Sequence, residues 1–219
     1  MKTDWDEYYR SPFPATRFTR RITSGLILGM LRRALGEDPT GGTIAEIGGA
    51  NSCFLHAVIA GLRPREYHII DNNALGLART SPPSGTSTRV LLHHADVLSL
   101  GFDLQVDCVF SIGLIEHFDV EATRRAVRTH FDILKPGGIA LISFPTPTLL
   151  YRVLRFAAES TNMWMFPDER PLGLDEVTAA AIEHGTLLDH RLNWQIGFTQ
   201  RMVVFHKPAK PLKVASGTD

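Results

Sequence analysis

Ala45-Glu46-Ile47-Gly48-Gly49-Ala50-Asn51-Ser52 leaves a short apolar run, Thr43 to Ile47, at an acid and two glycines, and then enters an apolar segment, Cys53 to Ala60, with helical spacing. The pattern predicts a strand, a tight turn and a helix start. Small residues let the backbone come close to a bound molecule, and the free N–H groups of a helix start face a polar ligand group. A small-residue turn after a strand is also a common way to reverse a chain, so the stretch alone leaves ligand binding and plain chain reversal both open.

Outward from this turn the succession repeats. Glu66 to Ile70 reads as a second strand ending in Asp71, followed by Asn72-Asn73 and a short helical stretch to Arg79. Ser81 to Thr88 carries Pro82, Pro83 and Gly85 and reads as a loop. Arg89 to His94 is a third strand delivering Ala95-Asp96-Val97, and Val106 to Ile112 a fourth delivering Gly113 to Phe118. Glu121 to Leu134 is amphipathic, with Ala122, Ala126, Val127, Phe131 and Leu134 inward, and stops at Lys135-Pro136-Gly137-Gly138 before a fifth strand, Ile139 to Phe144. Strands alternating with helices at this spacing imply βαβ units, hence an α/β, doubly wound, Rossmann-like fold. In such sheets ligands bind beyond the carboxyl ends of the strands. Here those ends carry Glu46 to Gly49, Asp71, Asp96, Ser111 to His117 and Pro145-Thr146, so the polar groups gather on one edge.

The last third departs from alternation. Thr148 to Ala158 and Leu174 to His184 read as helices, separated by a loop-like stretch with Trp164, Met165 and Phe166. Thr186 to Trp194 and Thr199 to His206 follow as two strands in succession, joined through Gln195-Ile196-Gly197. They complete a seven-stranded, mostly parallel sheet with an antiparallel C-terminal hairpin strand. At the other end, Pro12 and Pro14 argue against regular structure around Phe13, and Met1 to Pro14 reads as a mobile arm. The helix Ala15 to Leu35 places Phe18, Ile22, Leu26 and Met30 on one stripe and Arg17, Arg20 and Arg21 on a solvated one. The organisation expected is an arm and helix at 1–40, a domain at 41–207 with an insert at 145–171, and a disordered tail at 208–219.

At 219 residues, 44% hydrophobic and 21% charged, the chain has the composition of one globular domain. Basic and acidic residues balance at 23 each, so no global field calls for nucleic acid or an anionic membrane. Cys53 and Cys108 lie in apolar runs and read as buried, reduced thiols. No apolar run reaches the roughly 20 residues of a membrane span, and the polar, acidic N-terminus is unlike a signal peptide, so a cytoplasmic location is expected.

Together these motifs resemble those of the class I S-adenosylmethionine-dependent methyltransferases of the small-molecule branch, over about Thr43 to His206. That family has E-x-G-x-G-x-G after its first strand; here Glu46, Gly48, Ala50 and Ser52 stand in those places, with an extra Gly49. The fourth-strand sequence Asp107 to Phe118 and the stretch Leu134-Lys135-Pro136-Gly137-Gly138 also match. The resemblance implies S-adenosylmethionine as cofactor, with Glu46, Gly48, Gly49, Ala50, Asn51, Asp71, Asn72, Asp96, Val97 and Ser111 around it. Asp71 would accept from the ribose hydroxyls, Asp96 would take the adenine amino group, and Glu46 would order the loop. For Asp71 and Asp96 the bland readings are a helix cap and a turn aspartate. An NAD-dependent oxidoreductase fits less well, because its turn needs glycines at Ala50 and Cys53. A non-catalytic module that binds the donor or its product stands as a further reading.

His117, following the strand beside the donor, is the candidate base. The acceptor expected is a small molecule or sugar, methylated at oxygen. The insert and arm offer Tyr8, Tyr9, Phe13, Tyr151, Trp164, Phe166, Glu169 and Arg170, of which Tyr9, Phe13, Tyr151, Trp164 and Arg170 join His117 as the expected acceptor-side residues. Nucleic acid is not expected: Ser111-Ile112-Gly113-Leu114 replaces the D/N-P-P-Y/F tetrad of base methylases, and no basic stripe accompanies it. Some family members bind a metal through E-x-x-E-H. Gly113 stands at the first glutamate here, leaving only the adjacent Glu116 and His117, so no metal is expected.

Overall fold

Alternation along the strands builds the sheet. Ala45 and Ile47 point to one face with Val109, Ala140, Ile142 and Val203, while Ile44 points to the other with Cys108, Phe110, Leu141 and Val204. A strand buried on both faces needs helices on both sides, and the chain supplies them. The structure, a computed structural model, describes residues 2–10, 16–36, 39–196 and 199–209, without the side chains of 16–21. Phe13, the Arg17, Arg20 and Arg21 face, and the tail from 210 onward lie outside the described residues.

The strands are β1 (Thr43–Ile47), β2 (Glu66–Asp71), β3 (Arg89–His94), β4 (Val106–Ile112), β5 (Leu134–Pro145), β6 (Thr186–Asn193) and β7 (Gln200–His206), in the order β3-β2-β1-β4-β5-β7-β6. β7 is antiparallel to both β5 and β6, so it alone runs against the others. The chain moves outward from β1 to β3 and returns to place β4 on the other side of β1. The strand order reverses there, and a crevice opens between the ends of β1 and β4.

The helices are α1 (Trp5–Arg10), α2 (Thr16–Leu35), α3 (Leu55–Leu62), α4 (Ala74–Ala78), α5 (Val120–Asp132), α6 (Leu149–Ser160) and α7 (Leu174–Ala181). Ile27, Met30 and Leu31 of α2 and Leu55, Val58, Ile59 and Leu62 of α3 cover one face of the sheet. Ala126, Val127 and Phe131 of α5 and Val177 and Ala181 of α7 cover the other. Burying each such leucine or isoleucine contributes about 1.5–3 kcal/mol relative to leaving it exposed. Asp119 starts α5 by accepting from the Ala122 N–H at 2.8 Å, and Thr148 starts α6 by accepting from that of Tyr151 at 3.1 Å.

Several expectations change. The buried stripe of α2 runs through Thr23, Ile27, Met30 and Leu31, one position beyond the i+4 series of Ile22 and Leu26, which are only partly covered. Leu134 pairs with Val106 rather than ending α5, and Lys135 to Gly138 are absorbed into β5 at a register shift before Cys108 meets Ile139. The part of the arm before Arg10 folds as α1. Cys53 is exposed, because α3 begins two residues later at Leu55, and only Cys108 is a buried thiol.

Candidate active site

The turn after β1 works through a conformation and a contact. Gly48 has φ +70°, a backbone state costly for other residues, and its N–H donates to the Ile70 carbonyl at 2.8 Å, tying the turn to β2. Gly49 lies against Glu46, whose Cγ would stand 2.6 Å from any Cβ there. The two departures from the glycine pattern have separate supports. The methyl of Ala50 fits because α4 presents Gly76 opposite, where an added Cβ would lie 2.7 Å from that of Ala50. Ser52 donates to Glu46 Oε1 at 2.7 Å and accepts from the N–H groups of Phe54 and Leu55, so it ties the turn to Glu46 and starts α3. Tyr67 donates to the other oxygen of Glu46 at 2.5 Å. Burial pushes the Glu46 carboxyl up to about 7, against the pull of these two hydroxyls.

Asp71, at the end of β2, accepts from the Ala50 N–H at 2.9 Å and from the Asn73 N–H at 2.8 Å. It thus holds the turn, while the cap of α4 is Asn73, which accepts from Gly76 at 2.7 Å. Burial raises the Asp71 carboxyl above its ordinary value despite the backbone N–H groups around it. Asp96 accepts from the Leu98 N–H at 2.8 Å in a turn and is otherwise exposed.

A cavity of about 620 Å³ opens over these strand ends. Glu46, Gly48, Gly49, Ala50, Asn51, Asp71, Asn72, Asp96 and Val97 line it, as do Tyr9, His117, Tyr151 and Trp164. Two expected residues do not. Ser111 is fully buried and donates to His130 Nε2 at 2.9 Å, because His130 gives its Nδ1 hydrogen to the Ala126 carbonyl; burial holds that imidazole down to about 4. Arg170 turns its guanidinium to Glu176, Thr123 and the Phe118 carbonyl and links the insert to α5.

The far wall comes from three distant segments. Trp5 and Tyr8 of α1 meet Phe166 of the insert, and the Trp5 ring lies edge-on to His117 with centroids 4.9 Å apart. His117 Nδ1 is 3.1 Å from Asp168 Oδ1, so it donates to this carboxylate and leaves Nε2 as an acceptor. Thr3 donates to Asp168 through both its hydroxyl and its N–H, closing the arm over the site. Burial opposes ionisation of Asp168, yet Thr3 and His117 hold its carboxyl below the ordinary range. Burial lowers His117 more than Asp168 raises it, so the imidazole is neutral at neutral pH.

Beside His117, Glu116 is 2% exposed and its Oε2 has no hydrogen-bond partner. Glu169 accepts from the Tyr151 hydroxyl. Glu116, His117 and Glu169 bring one ligand atom each to within 4.8 Å of one another, so the structure adds a third candidate ligand to the adjacent pair seen in the sequence. Gly113 has φ +70°, where a glutamate would be strained, and it serves the turn after β4. Asp168 and Trp5 escaped the sequence-based choice, and Glu116 enters it only as a metal ligand. Their sole signal is an acid or aromatic in a segment whose position over the site is set by folding.

Fold, switch-point crevice, small-residue turn and strand-end acids are those expected of a class I S-adenosylmethionine-dependent methyltransferase, and the family match and the structural likeness support S-adenosylmethionine as cofactor. Residues 44–138 match the family described as a methyltransferase domain. No curated protein matches the sequence significantly. Among solved structures, the chain is similar to the N-methyltransferase NodS from Bradyrhizobium japonicum bound to S-adenosylhomocysteine, at 15% identity over 90% of each chain with a TM-score of 0.63. It is also similar to magnesium protoporphyrin IX methyltransferase from Synechocystis, at 12% identity over 93% of this chain and 92% of that one, TM-score 0.71. A possible exported protein from Bordetella parapertussis shares 20% identity over 92% of this chain and 72% of its own, TM-score 0.69. At these identities the likeness is one of fold. Among the described residues no helix is long and apolar enough to cross a membrane.

Proposed function

We propose that the protein methylates a hydroxyl of a small molecule or sugar, with His117 as the base. S-adenosylmethionine supplies an activated methyl on a sulfonium, so the chain's own task is to align the acceptor, exclude water and take one proton. Alignment of this kind is worth about 7–11 kcal/mol of the barrier. The observation that carries the reading is His117 in the cavity wall, at the end of the strand beside the turn of β1, with its Nδ1 held by Asp168. Asp168 orients the ring, Nε2 is free to accept, and burial keeps the imidazole neutral. Trp5, Tyr151, Trp164 and Phe166 enclose the acceptor side and keep water out. Asp71 accepts from the donor's ribose and Glu46 holds the turn.

The test is mass spectrometry of a metabolite library incubated with the protein and S-adenosylmethionine, seeking a gain of one methylene. With the acceptor found, His117→Ala is expected to lower kcat by about 10²–10⁴-fold, the usual scale of general-base loss. Its affinity for S-adenosylhomocysteine should stay within a few-fold. An unchanged kcat with chemistry rate-limiting removes the base assignment.

A further inference from the structure

The cavity has an electrostatic imbalance. Glu46, Asp71, Asp96, Glu116 and Glu169 are among its lining residues, and no lysine or arginine is among the described ones. Glu46 and Asp71 are engaged by hydroxyls and backbone N–H groups of the donor side. Glu116 differs: it is 2% exposed, its Oε2 is unpartnered, and it faces the cavity. A buried, unpaired carboxylate costs several kcal/mol unless a donor or cation meets it. The neighbouring Arg155 does not, since its guanidinium bonds Glu159, the Tyr151 hydroxyl and the Glu169 carbonyl.

We infer that Glu116 and Glu169 form a subsite for an ammonium group of the acceptor, which makes the substrate an amine-bearing small molecule such as an amino alcohol or amino sugar. A primary ammonium has three N–H donors, and a carboxylate oxygen from each glutamate stands within 4.8 Å of the other and of a His117 ring nitrogen. Bonds of about 2.8–3.0 Å from one nitrogen span that spacing. Trp5 and Phe166 flank His117, and Trp164, with the Arg155 guanidinium over its ring, flanks Tyr151, so aromatic rings stand around the site. Burial, together with the charge of Glu169, pushes the Glu116 carboxyl well above its usual range, as expected of a pair awaiting a positive partner. The subsite selects the acceptor by charge and leaves His117 Nε2 for the proton of the hydroxyl that is methylated. The inference rests on the reading of this cavity as a methyl-acceptor site.

The full chain, saturated with S-adenosylhomocysteine, is titrated calorimetrically with benzylamine against benzyl alcohol and with glucosamine against glucose. The amine of at least one pair should bind about 10–100-fold more tightly than its alcohol, the scale of hydrogen bonds to charged groups. Glu116→Gln and Glu169→Gln should each erase that preference, and the half-buried Glu169 variant serves if Glu116→Gln does not fold. No amine preference in either pair, or a preference that survives both substitutions, overturns the subsite. Tight binding of Mn²⁺ that either substitution abolishes assigns the cluster to a metal and also overturns it. Failure of S-adenosylhomocysteine to bind at all would instead sink the methyltransferase reading.

Discussion

Glu46 concentrates the residue-scale chemistry of this protein. Its carboxyl moves from 4.5 to about 7 through burial, so the folded chain holds a proton in that window that the unfolded chain has lost. Stability therefore falls as pH rises from about 4.5 to 7, by an amount of the order of 3 kcal/mol. Glu46→Gln should flatten this slope in urea unfolding measured across that range, and an unchanged slope would assign the pH dependence elsewhere. The space around Ala50 gives a second test. Gly76→Ala improves helix propensity by about 1 kcal/mol yet places a methyl 2.7 Å from Ala50 and 2.8 Å from Tyr9. Overpacking of about 1–3 kcal/mol should win, and affinity for S-adenosylhomocysteine should drop. Ala50→Gly in the same chain should restore part of it, a coupling that calorimetry reads directly.

At the scale of elements, α1 connects the two halves of the site. Asn73 on the donor side donates to Asp6 at 2.7 Å, Arg79 donates to the Tyr9 carbonyl, and Thr3 reaches Asp168 on the insert. Trp5, Tyr8 and Tyr9 then form part of the cavity wall. An element held by a few polar ties and one buried ring opens more readily than the sheet beneath it. Deleting residues 1–10 should raise the dissociation rate of S-adenosylhomocysteine about tenfold in stopped-flow, as loss of a closing lid does, while circular dichroism still shows the folded α/β core. A dissociation rate equal to that of the full chain would make α1 a mere cover. The helix was hidden in the sequence because its six residues, Trp5 to Arg10, are too short to show periodicity and stand next to prolines that argue against order.

For the molecule as a whole, the sheet was legible from local pattern. Each of β1 to β5 is a run of apolar residues ending in a small or acidic one, and βαβ handedness leaves few ways to arrange them. The turn at Glu46 to Ser52 and the acids Asp71 and Asp96 follow from their places at strand ends, and the cavity includes them. Ser111 was expected at the cavity because it lies at the end of β4, but a strand alternates its side chains, and its hydroxyl turns to His130 of α5. Arg170 and the shared work of Glu116, Asp168 and Glu169 depend on contacts between positions about fifty residues apart, such as His117 with Asp168. The sequence by itself determined the sheet, the small-residue turn and the acids at the strand ends, because these depend on periodicity and spacing along the chain, while the class of reaction came from the resemblance those motifs carry. Only the tertiary structure decided which acids meet His117, which ring covers it and which carboxylate is left without a partner, because burial and pairing are properties of neighbours in space.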